Sequence, residues 1–355
     1  MALKKTIDPG NFVKPADETR KKELKKTQTT LRDVAVAANV SEMTVSRVLR
    51  NHGPVADKTR KKVLKIVDQL GFVPNKIAGS LATSSSNLVA VIVPTLANQV
   101  FTEVLAGITE YLESKGFKAV IGISEYESDR EEALIRSMLS WRPSGMIVSS
   151  MAHTGPTRNI LKKAGIPVVE IMRVANEPVD ACVGVDHVHA GALMGRHFMQ
   201  RGFQNIGYVG WNNLDLTAGK RLQGFSDELK KGGLEIIGRT EFDRPVDMER
   251  GKLGMASLLE DHPNLDAVYF PNDIAAIGGY FHCLGVGIDV PSQLGIGGFS
   301  GLMVGQLMPV PLTTVLIDRY EIGRRSAEII VERLDGKQSR NINIIDIKLV
   351  EGGTT

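Results

Sequence analysis

Two groups of residues in this sequence have the types and spacing needed to recognise another molecule. Glu42, Met43, Ser46 and Arg47 recur at helical intervals in SEMTVSRVLRN, so they share one face if this segment is a helix. A carboxylate, a hydroxyl and a guanidinium on one helix face are suited to reading base edges in the major groove of duplex DNA. The second group consists of polar residues that directly follow short apolar runs. Such runs read as strands, and ligands of α/β proteins bind where parallel strands end.

No motif indicates covalent or redox chemistry. The segments GIGGFSG and GVGID lack the spacing of a dinucleotide fingerprint, and neither a phosphate-loop lysine motif nor a nucleophile elbow is present. Cys182 and Cys283 are far apart and have no zinc or redox spacing. His187 and His189 fall on different helix faces, so we expect the cluster that they form with His197 to lie at the surface or at a helix cap. The sequence therefore predicts a protein that is not an enzyme and holds no cofactor or metal.

Positive charge is concentrated at the N-terminal end of the chain. Residues 1–86 carry +9, so the rest carries −6, because the whole chain is +3. This asymmetry is expected when one end meets a polyanion, although charge alone is equally compatible with a solvated basic tail. No apolar run approaches the roughly 20 residues that span a bilayer, and MALKKTIDPGNFVK has no export signal. We therefore expect a cytoplasmic protein without a membrane partner.

Three short helices are predicted at residues 29–74, after a basic arm at residues 1–28 that we expect to be disordered. The hydroxyls of Thr29 and Thr30 can cap a first helix that starts at Leu31, with Asp33 in the third position as a variant capping box, and Ser41 can cap a second. A third helix should end at Gly71. Its expected buried residues are Val63, Leu64, Val67 and Leu70. Three short helices with a tight central turn predict a helix-turn-helix domain.

The second helix of such a domain enters the major groove, where some side chains contact base edges and others contact phosphates. Arg47 is suited to forked hydrogen bonds with guanine, whereas Thr44, Asn51 and the basic run at residues 58–62 are better placed to hold phosphates. The complete set of predicted DNA-contacting residues is Thr30, Leu31, Glu42, Met43, Thr44, Ser46, Arg47, Asn51, Thr59, Asn75 and Leu81.

From residue 88 onward, short apolar strands alternate with amphipathic helices. One set of strands is LVAVIVP, FKAVIGI, GMIVSS and PVVEIM, and a second set is NIGYVG, AVYF and LGIGGF. Repeated βα units of this length require parallel sheets with right-handed crossovers. Two sets predict two doubly wound α/β lobes, with ligands bound at the strand ends.

The segments TLRDVAVAANVSEMTVSRVLRN and VADKTRKKVLKIVDQLGFVPNKIAGSLAT resemble the headpiece of the lactose-repressor (LacI/GalR) family. LANQVFTEVLAGI, SMLSWRPSGMIV and AGIPVVEIM are similar to its gluconate-repressor branch. Residues 75–86 are rich in Ala, Ser and Gly, which alone is typical of a flexible linker. The resemblance implies instead a hinge helix there, with Leu81 wedged into the minor groove. It also implies a periplasmic-binding-protein-like core at residues 87–355.

In that core, the resemblance implies that the chain crosses between lobes near Asp186, Ile317 and Asn341. The first lobe is then residues 87–186 and 318–341, and the second is residues 187–317 and 342–355. We expect two subunits to pair side by side on a near-palindromic operator. No leucine heptad follows IIDIKLVEGG, so a homodimer is expected rather than a tetramer.

The resemblance implies that Arg221, in GKRLQGF, donates forked hydrogen bonds to sugar hydroxyls or a carboxylate. Asp186 closes the strand ACVGVD and Asn272 opens a helix in FPND. Both are expected to face the cleft, with a helix cap as the alternative role of each; we expect Asp273 to be a cap. The complete set of predicted effector-binding residues is Thr95, Asn98, Phe101, Glu125, Tyr126, Ser149, Glu170, Arg173, Asp186, Arg221, Asn272, Ser300 and Gln306.

One departure from the family bears on the ligand. Many neutral-sugar members carry an aspartate directly after the aromatic residue, where GGFSG has Ser300. Losing a carboxylate while keeping Arg221 and Arg173 lowers the cost of binding an anion. We therefore expect a sugar acid such as gluconate, acting as inducer. A neutral sugar or disaccharide and a corepressor role stay open. A sugar-binding transport receptor is disfavoured because there is no export signal.

Overall fold

The computed structural model describes residues 29–50, 53–73, 86–149, 153–211, 216–243 and 245–355, and the chain forms two compact units that divide at residue 79. The arm predicted at residues 1–28 and residues 75–85 of the predicted hinge lie outside the described residues. The described helices of the N-terminal unit are α1 (Leu31–Ala38), α2 (Glu42–Leu49) and α3 (Asp57–Gln69).

The helix starts of the N-terminal unit follow the predicted caps. The Thr30 side chain accepts from the Asp33 amide, and the Asp33 carboxylate accepts from the Thr30 amide at 2.8 Å, which completes a capping box. Ser41 caps α2 by accepting from the Thr44 amide. Asn39, at a left-handed φ of 51°, turns the chain between α1 and α2. These interactions are local, which is why the sequence alone predicted them.

The core of this unit is smaller than predicted. Val34, Val45 and Val63 are fully buried at the centre of the three helices. Leu64 and Leu70, which we predicted to be buried, are 47% and 40% exposed. Three short helices bury only a narrow stripe of each, and these two leucines lie beside that stripe.

The C-terminal unit contains two α/β lobes. The elements of the first lobe are β1 (Leu88–Val93), α4 (Gln99–Ser114), β2 (Lys118–Ile123), α5 (Ser128–Ser140), β3 (Gly145–Ser149), α6 (Gly155–Lys162), β4 (Val168–Arg173), β5 (Ala181–Val185), α12 (Arg319–Leu334) and β11 (Ile342–Ile344). Its sheet is parallel in the order β11-β5-β4-β3-β1-β2. Helices cover both faces, so β1 is almost entirely apolar rather than alternating.

The second lobe repeats this plan. Its elements are α7 (His187–Gln200), β6 (Ile206–Trp211), α8 (Leu216–Lys231), β7 (Ile236–Phe242), α9 (Met248–Asp261), β8 (Ala267–Tyr269), α10 (Asp273–Val286), β9 (Gly295–Ser300), α11 (Met303–Gln306), β10 (Thr313–Ile317) and β12 (Ile347–Val350). The strand order is β12-β10-β9-β8-β6-β7. The predicted class, a helical headpiece followed in the chain by two doubly wound lobes, is confirmed, with β12 as an antiparallel edge strand against β10.

The chain passes between the lobes at three places. It leaves the first lobe after β5, at Asp186, and returns after β10, at Ile317. The third passage differs from the expected position near Asn341. Because β11 pairs with β5, the first lobe continues to Ile344, and the chain crosses only before Ile347. None of the described helices has both the length and the apolar composition required to cross a membrane.

Candidate functional site

The second helix of the N-terminal unit presents a polar face. Val45 and Val48 point inward, whereas Glu42, Met43 and Arg47 are exposed, with Met43 64% exposed. Their direction follows from the 3.6-residue repeat once the two valines are fixed in the core. The helix is therefore held by one side and free to meet a partner with the other.

The remaining predicted contacts in this unit surround that face unevenly. Thr30 is exposed, and the partly buried ones are Leu31, Thr44, Ser46 and Thr59. The Thr44 hydroxyl lies 2.9 Å from the Ser41 hydroxyl, so part of its hydrogen-bonding capacity is used within the cap. Three predicted contacts, Asn51, Asn75 and Leu81, lie outside the described residues.

Replacing Arg47 with alanine is expected to weaken binding to the cognate DNA site by roughly 10- to 100-fold, because a forked contact to guanine is worth about 1–3 kcal/mol. The loss should be confined to the cognate sequence, since random duplex offers no matched base edge. Fluorescence anisotropy with cognate and scrambled duplexes measures both affinities. Lys58→Ala is the matched control, because a lost phosphate contact weakens both duplexes alike and lowers the salt dependence. Equal losses on both duplexes in Arg47→Ala would contradict base recognition.

A cleft lies between the two lobes of the C-terminal unit, where the parallel strands of both sheets end. Ser149 and Met172 reach it from β3 and β4 of the first lobe, and Trp211, Ser300 and Ile317 reach it from β6, β9 and β10 of the second. The position agrees with the expectation that ligands bind at strand ends.

Arg221 is the buried cation of the cleft. Its side chain is 5% exposed, and the guanidinium stacks on the Phe299 ring at 4.1 Å from the centroid. Helices α7 and α8 pack closely enough to position Arg221 because residue 191 is a glycine. A Cβ at Gly191 would lie 1.8 Å from the Arg221 carbonyl oxygen and would force the helices apart. Stacking and close packing fix the guanidinium plane, which favours a planar, forked hydrogen-bond partner such as a carboxylate.

His187 positions Arg221 and joins the lobes. Its Nδ1 accepts from Arg221 Nη1 at 2.9 Å, and its Nε2 donates to the Met172 carbonyl oxygen, also at 2.9 Å. This pattern requires the neutral ring with the proton on Nε2. Met172 holds a φ of 76°, uncommon for a residue other than glycine, at the end of β4. The expectation that His187 lies at the surface or at a helix cap is wrong. It is 4% exposed, and it contacts Met172 of the first lobe and Arg221 of the second.

The other histidines of the predicted cluster have separate roles. His197 is also buried, which contradicts a surface position, and its Nε2 lies 2.7 Å from the Thr355 hydroxyl. Burial lowers the pKa of His197. His189 is exposed. Among the described residues, no group of three or more His, Cys, Asp or Glu side chains is arranged to hold a metal ion.

Seven of the predicted effector contacts line the cleft together. They are Asn98, Phe101, Tyr126, Ser149, Arg221, Asn272 and Ser300. Asn272 also caps α10, because its Oδ1 accepts from the Ala275 amide at 2.8 Å. The expectation that Asp273 is the cap is therefore wrong. The Asp273 carboxylate accepts from Thr314 Oγ1 and the Leu302 amide, each at 2.6 Å.

Six predicted contacts do not line the cleft, and each has another partner. In the first lobe, Thr95 Oγ1 accepts from the Ala97 amide, and Glu125 pairs with Arg130. Glu170 is fully buried and accepts from the Val179 amide at 2.6 Å. Arg173 Nη2 lies 3.9 Å from the Glu170 carboxylate.

The other two belong to the lobe crossing and the second lobe. Asp186 is exposed and caps α7 by accepting from the His189 amide at 2.9 Å. Gln306 donates to the Leu312 carbonyl oxygen at 3.0 Å. A strand-end position therefore does not by itself direct a side chain into the cleft.

Sequence reasoning missed several residues that line the cleft: Met172, His187, Trp211, Thr217 and Phe299. Trp211 and Phe299 stand at or next to the end of predicted strands, which was a usable signal. The predicted and the missed lining residues together determine the charge of the cleft. Among the described residues that line it, Arg221 is the only charged side chain and none is Asp or Glu.

A buried carboxyl supports the wall of the cleft behind Ser300. Ser300 adopts a φ of 125°, and the Asp273 carboxylate binds the amide of Leu302 just beyond it. Burial raises the pKa of Asp273 to about 6, against the opposing effect of the hydrogen bonds from Thr314 and Leu302 and of nearby Arg319. The strained strand end is thus held from behind by a group that titrates near neutrality.

The stability of the protein should depend on pH through Asp273. Because its pKa is raised in the folded state, the folded protein binds more protons than the unfolded chain between about pH 4 and 6, so stability falls as pH rises across this window and is then constant. Thermal unfolding of the wild type and Asp273→Asn at pH 4.5 to 8 tests this. The stability difference should shift in favour of the wild type as pH falls below 6. A pH-independent difference would contradict titration of Asp273.

Comparison with known proteins agrees with both parts of this geometry. The family described as "Periplasmic binding proteins and sugar binding domain of LacI family" matches residues 86–351, and "Bacterial regulatory proteins, lacI family" matches residues 30–75. The HTH-type transcriptional regulator GntR of Escherichia coli (strain K12) is 33% identical over 314 residues, covering 88% of this chain and 94% of the relative.

Two solved structures are also similar. A LacI family transcriptional regulator from Silicibacter pomeroyi has a TM-score of 0.87 and 44% identity, covering 92% of this chain and 99% of its own. The transcription regulator GntR from Chromobacterium violaceum has a TM-score of 0.72 and 32% identity, covering 75% of this chain and 98% of its own.

Proposed function

This chain belongs to the LacI family of bacterial regulatory proteins, and on that premise we propose that it represses transcription from a near-palindromic operator and releases the operator when a sugar acid occupies its cleft. It acts in the cytoplasm, where the DNA is. The headpiece supplies sequence recognition, and the cleft senses the metabolite. Operator release requires the ligand to bind the DNA-free state more tightly than the DNA-bound state.

The charge of the cleft carries the proposal of a sugar acid. Arg221 is buried, and none of the described residues that line the cleft is Asp or Glu. A ligand carboxylate can accept two parallel, charge-assisted hydrogen bonds from this guanidinium. Aromatic walls from Phe101, Tyr126 and Trp211 suit the apolar face of a sugar carbon chain. A neutral sugar lacks the charge that the site favours.

The experiment is a titration of the protein against a fluorescent duplex from its own promoter, at several salt concentrations. We expect tight binding that weakens with salt, and release by gluconate or a keto-gluconate but not by glucose or cellobiose. Direct calorimetry with the same four compounds separates binding from release. Release by a neutral sugar but not by a sugar acid would contradict the proposed ligand class. Tighter DNA binding with ligand would make the ligand a corepressor. If the protein bound no DNA at any salt concentration, the proposal that it is a transcriptional regulator would be wrong.

We propose a homodimer, because a two-fold operator is read by a two-fold protein. The second lobe offers an apolar face for this contact: Phe281 and Leu284, on one side of α10, are 44% and 61% exposed. Large exposed apolar residues on adjacent helical turns are typical of interfaces.

The variant Phe281→Glu/Leu284→Glu is expected to be a folded monomer with at least ~10-fold weaker operator binding, since it loses the second headpiece. Light scattering gives the mass and anisotropy gives the affinity. Leu334→Glu, 39% exposed at the end of α12, is the control and should stay dimeric. A dimer in the double variant would place the interface elsewhere.

A further inference from the structure

One hydrogen-bond donor of the cleft is buried and has no partner in the part of the chain that the structure describes. Trp211, the last residue of β6, is 7% exposed and lines the cleft. Its Nε1 is fully buried and has no hydrogen-bond partner among the described residues. Leaving such an N–H unsatisfied costs about 1–3 kcal/mol. Native proteins rarely carry this cost without a function for the group.

The indole is held in place from the opposite lobe. The ring of Tyr126, in the first lobe, meets the Trp211 ring edge-on, with centroids 5.7 Å apart and planes at 88°. Tyr126 lies in a tight turn after β2, with a left-handed φ of 63°. A constrained turn and an aromatic contact together limit the rotation of the indole, so its N–H has a fixed direction before any ligand arrives.

The other hydrogen-bonding groups of the cleft define what this donor would meet. His187 cannot serve a ligand with either ring nitrogen, because one accepts from Arg221 and the other donates to the Met172 carbonyl. Asn272 uses its oxygen on the Ala275 amide and an amide hydrogen on the Val246 carbonyl. Two N–H donors that line the cleft are the guanidinium of Arg221 and the indole N–H of Trp211. Both only donate.

We propose that Trp211 is a specificity-determining residue whose indole N–H donates a hydrogen bond to an oxygen of the bound sugar acid. The inference rests on the proposed function and adds a second donor to the recognition of the acid. A ligand rich in acceptor oxygens can accept from both Arg221 and Trp211, and a ligand that lacks an acceptor near Trp211 leaves the indole N–H buried and unpaired. Discrimination arises from that penalty.

The chain contains two tryptophans, which makes the test direct. In Trp141→Phe, a change at a 42% exposed position, the only indole N–H left is that of Trp211. Gluconate is expected to move its proton resonance downfield and to slow its exchange with solvent, as a new hydrogen bond requires. This reading does not depend on how any variant of Trp211 folds.

Trp211→Phe keeps an aromatic ring against Tyr126 and removes the N–H. Calorimetry should show gluconate affinity lowered by roughly 10- to 100-fold, as for a lost hydrogen bond to a charged group, with unchanged operator binding in the absence of ligand. Trp141→Phe should bind gluconate like the wild type. An unmoved indole resonance, or equal affinities in Trp211→Phe and Trp141→Phe, would overturn the role of Trp211 alone. If the wild type binds no sugar acid, the proposed function fails and this inference with it.

Discussion

Replacing Arg221 with alanine is expected to remove the response to the sugar acid while leaving operator binding intact. The guanidinium is 5% exposed and held by His187 and the Phe299 ring, so it contributes its full charge in a desolvated place. Truncating one side of a buried, hydrogen-bonded charge pair costs about 2–5 kcal/mol, which corresponds to an affinity loss of roughly 30-fold or more. Calorimetry with gluconate measures the loss, and anisotropy with the promoter duplex measures operator binding.

Two further variants distinguish this role from a general effect of charge. Lys220→Ala removes a positive charge one residue away, from an exposed position on the same helix, and should leave gluconate affinity unchanged. Arg221→Lys keeps the charge but loses the forked donors and the stacking, so it should restore only a small part of the affinity. Full rescue by lysine would mean that the site senses charge without geometry. Loss of operator binding in a folded Arg221→Ala would refute the assignment to the ligand site.

The parts of the molecule that sequence reasoning predicted are those fixed by local interactions. The Thr30 and Asp33 capping box lies within one helical turn, so its residues identify it without any tertiary contact. The strand and helix alternation of the core is equally local, since apolar runs such as LVAVIVP are long enough to require burial on both faces. Arg221 was found because it matched a family position, and the structure places it in the cleft.

The errors concern contacts between segments that are far apart in the chain. Glu170 and Ser149 both occupy strands that end at the cleft. Successive side chains along a strand point to opposite faces of the sheet. The Glu170 side chain does not line the cleft, and its carboxylate accepts a hydrogen bond from the Val179 amide instead. His187 is explained only when β4 and α8 are both in place, because its two ring nitrogens bind one group from each. No periodic pattern in the sequence predicts that His187 contacts both segments.

Arg319 is a second residue of this non-local kind, and it ties the two lobes together. It begins α12 in the first lobe, where its guanidinium makes two 3.0 Å hydrogen bonds to Glu103 of α4. The same guanidinium donates to the carbonyl oxygens of Ser300 and Gly301 in the second lobe. A Cβ at Gly107 would stand 2.2 Å from the Tyr320 carbonyl oxygen, so glycine is required for α4 to lie against this end of α12. The cleft wall at Ser300 is thus anchored to the opposite lobe.

Replacing Arg319 with methionine should loosen this connection. The side chain is 5% exposed, whereas Glu103 is 39% exposed, so most of the expected loss comes from the buried carbonyls rather than from the ion pair. We expect the free energy of unfolding to fall by about 2–4 kcal/mol, which lowers the melting temperature by roughly 5–10 °C in a protein of this size. Arg324→Met is the control, because Arg324 pairs with Glu321 and Glu328 within α12 and its expected effect is small.

The ligand response separates a structural tie from a coupling element. If ligand binding is transmitted as a change in the arrangement of the lobes, a residue that fixes one lobe to the strand end of the other must influence the ratio of operator affinities with and without gluconate. In Arg319→Met that ratio should approach one while calorimetry still detects gluconate binding, and Arg324→Met should retain the wild-type ratio. A lowered melting temperature with an unchanged ratio would show that Arg319 stabilises the fold without transmitting the signal.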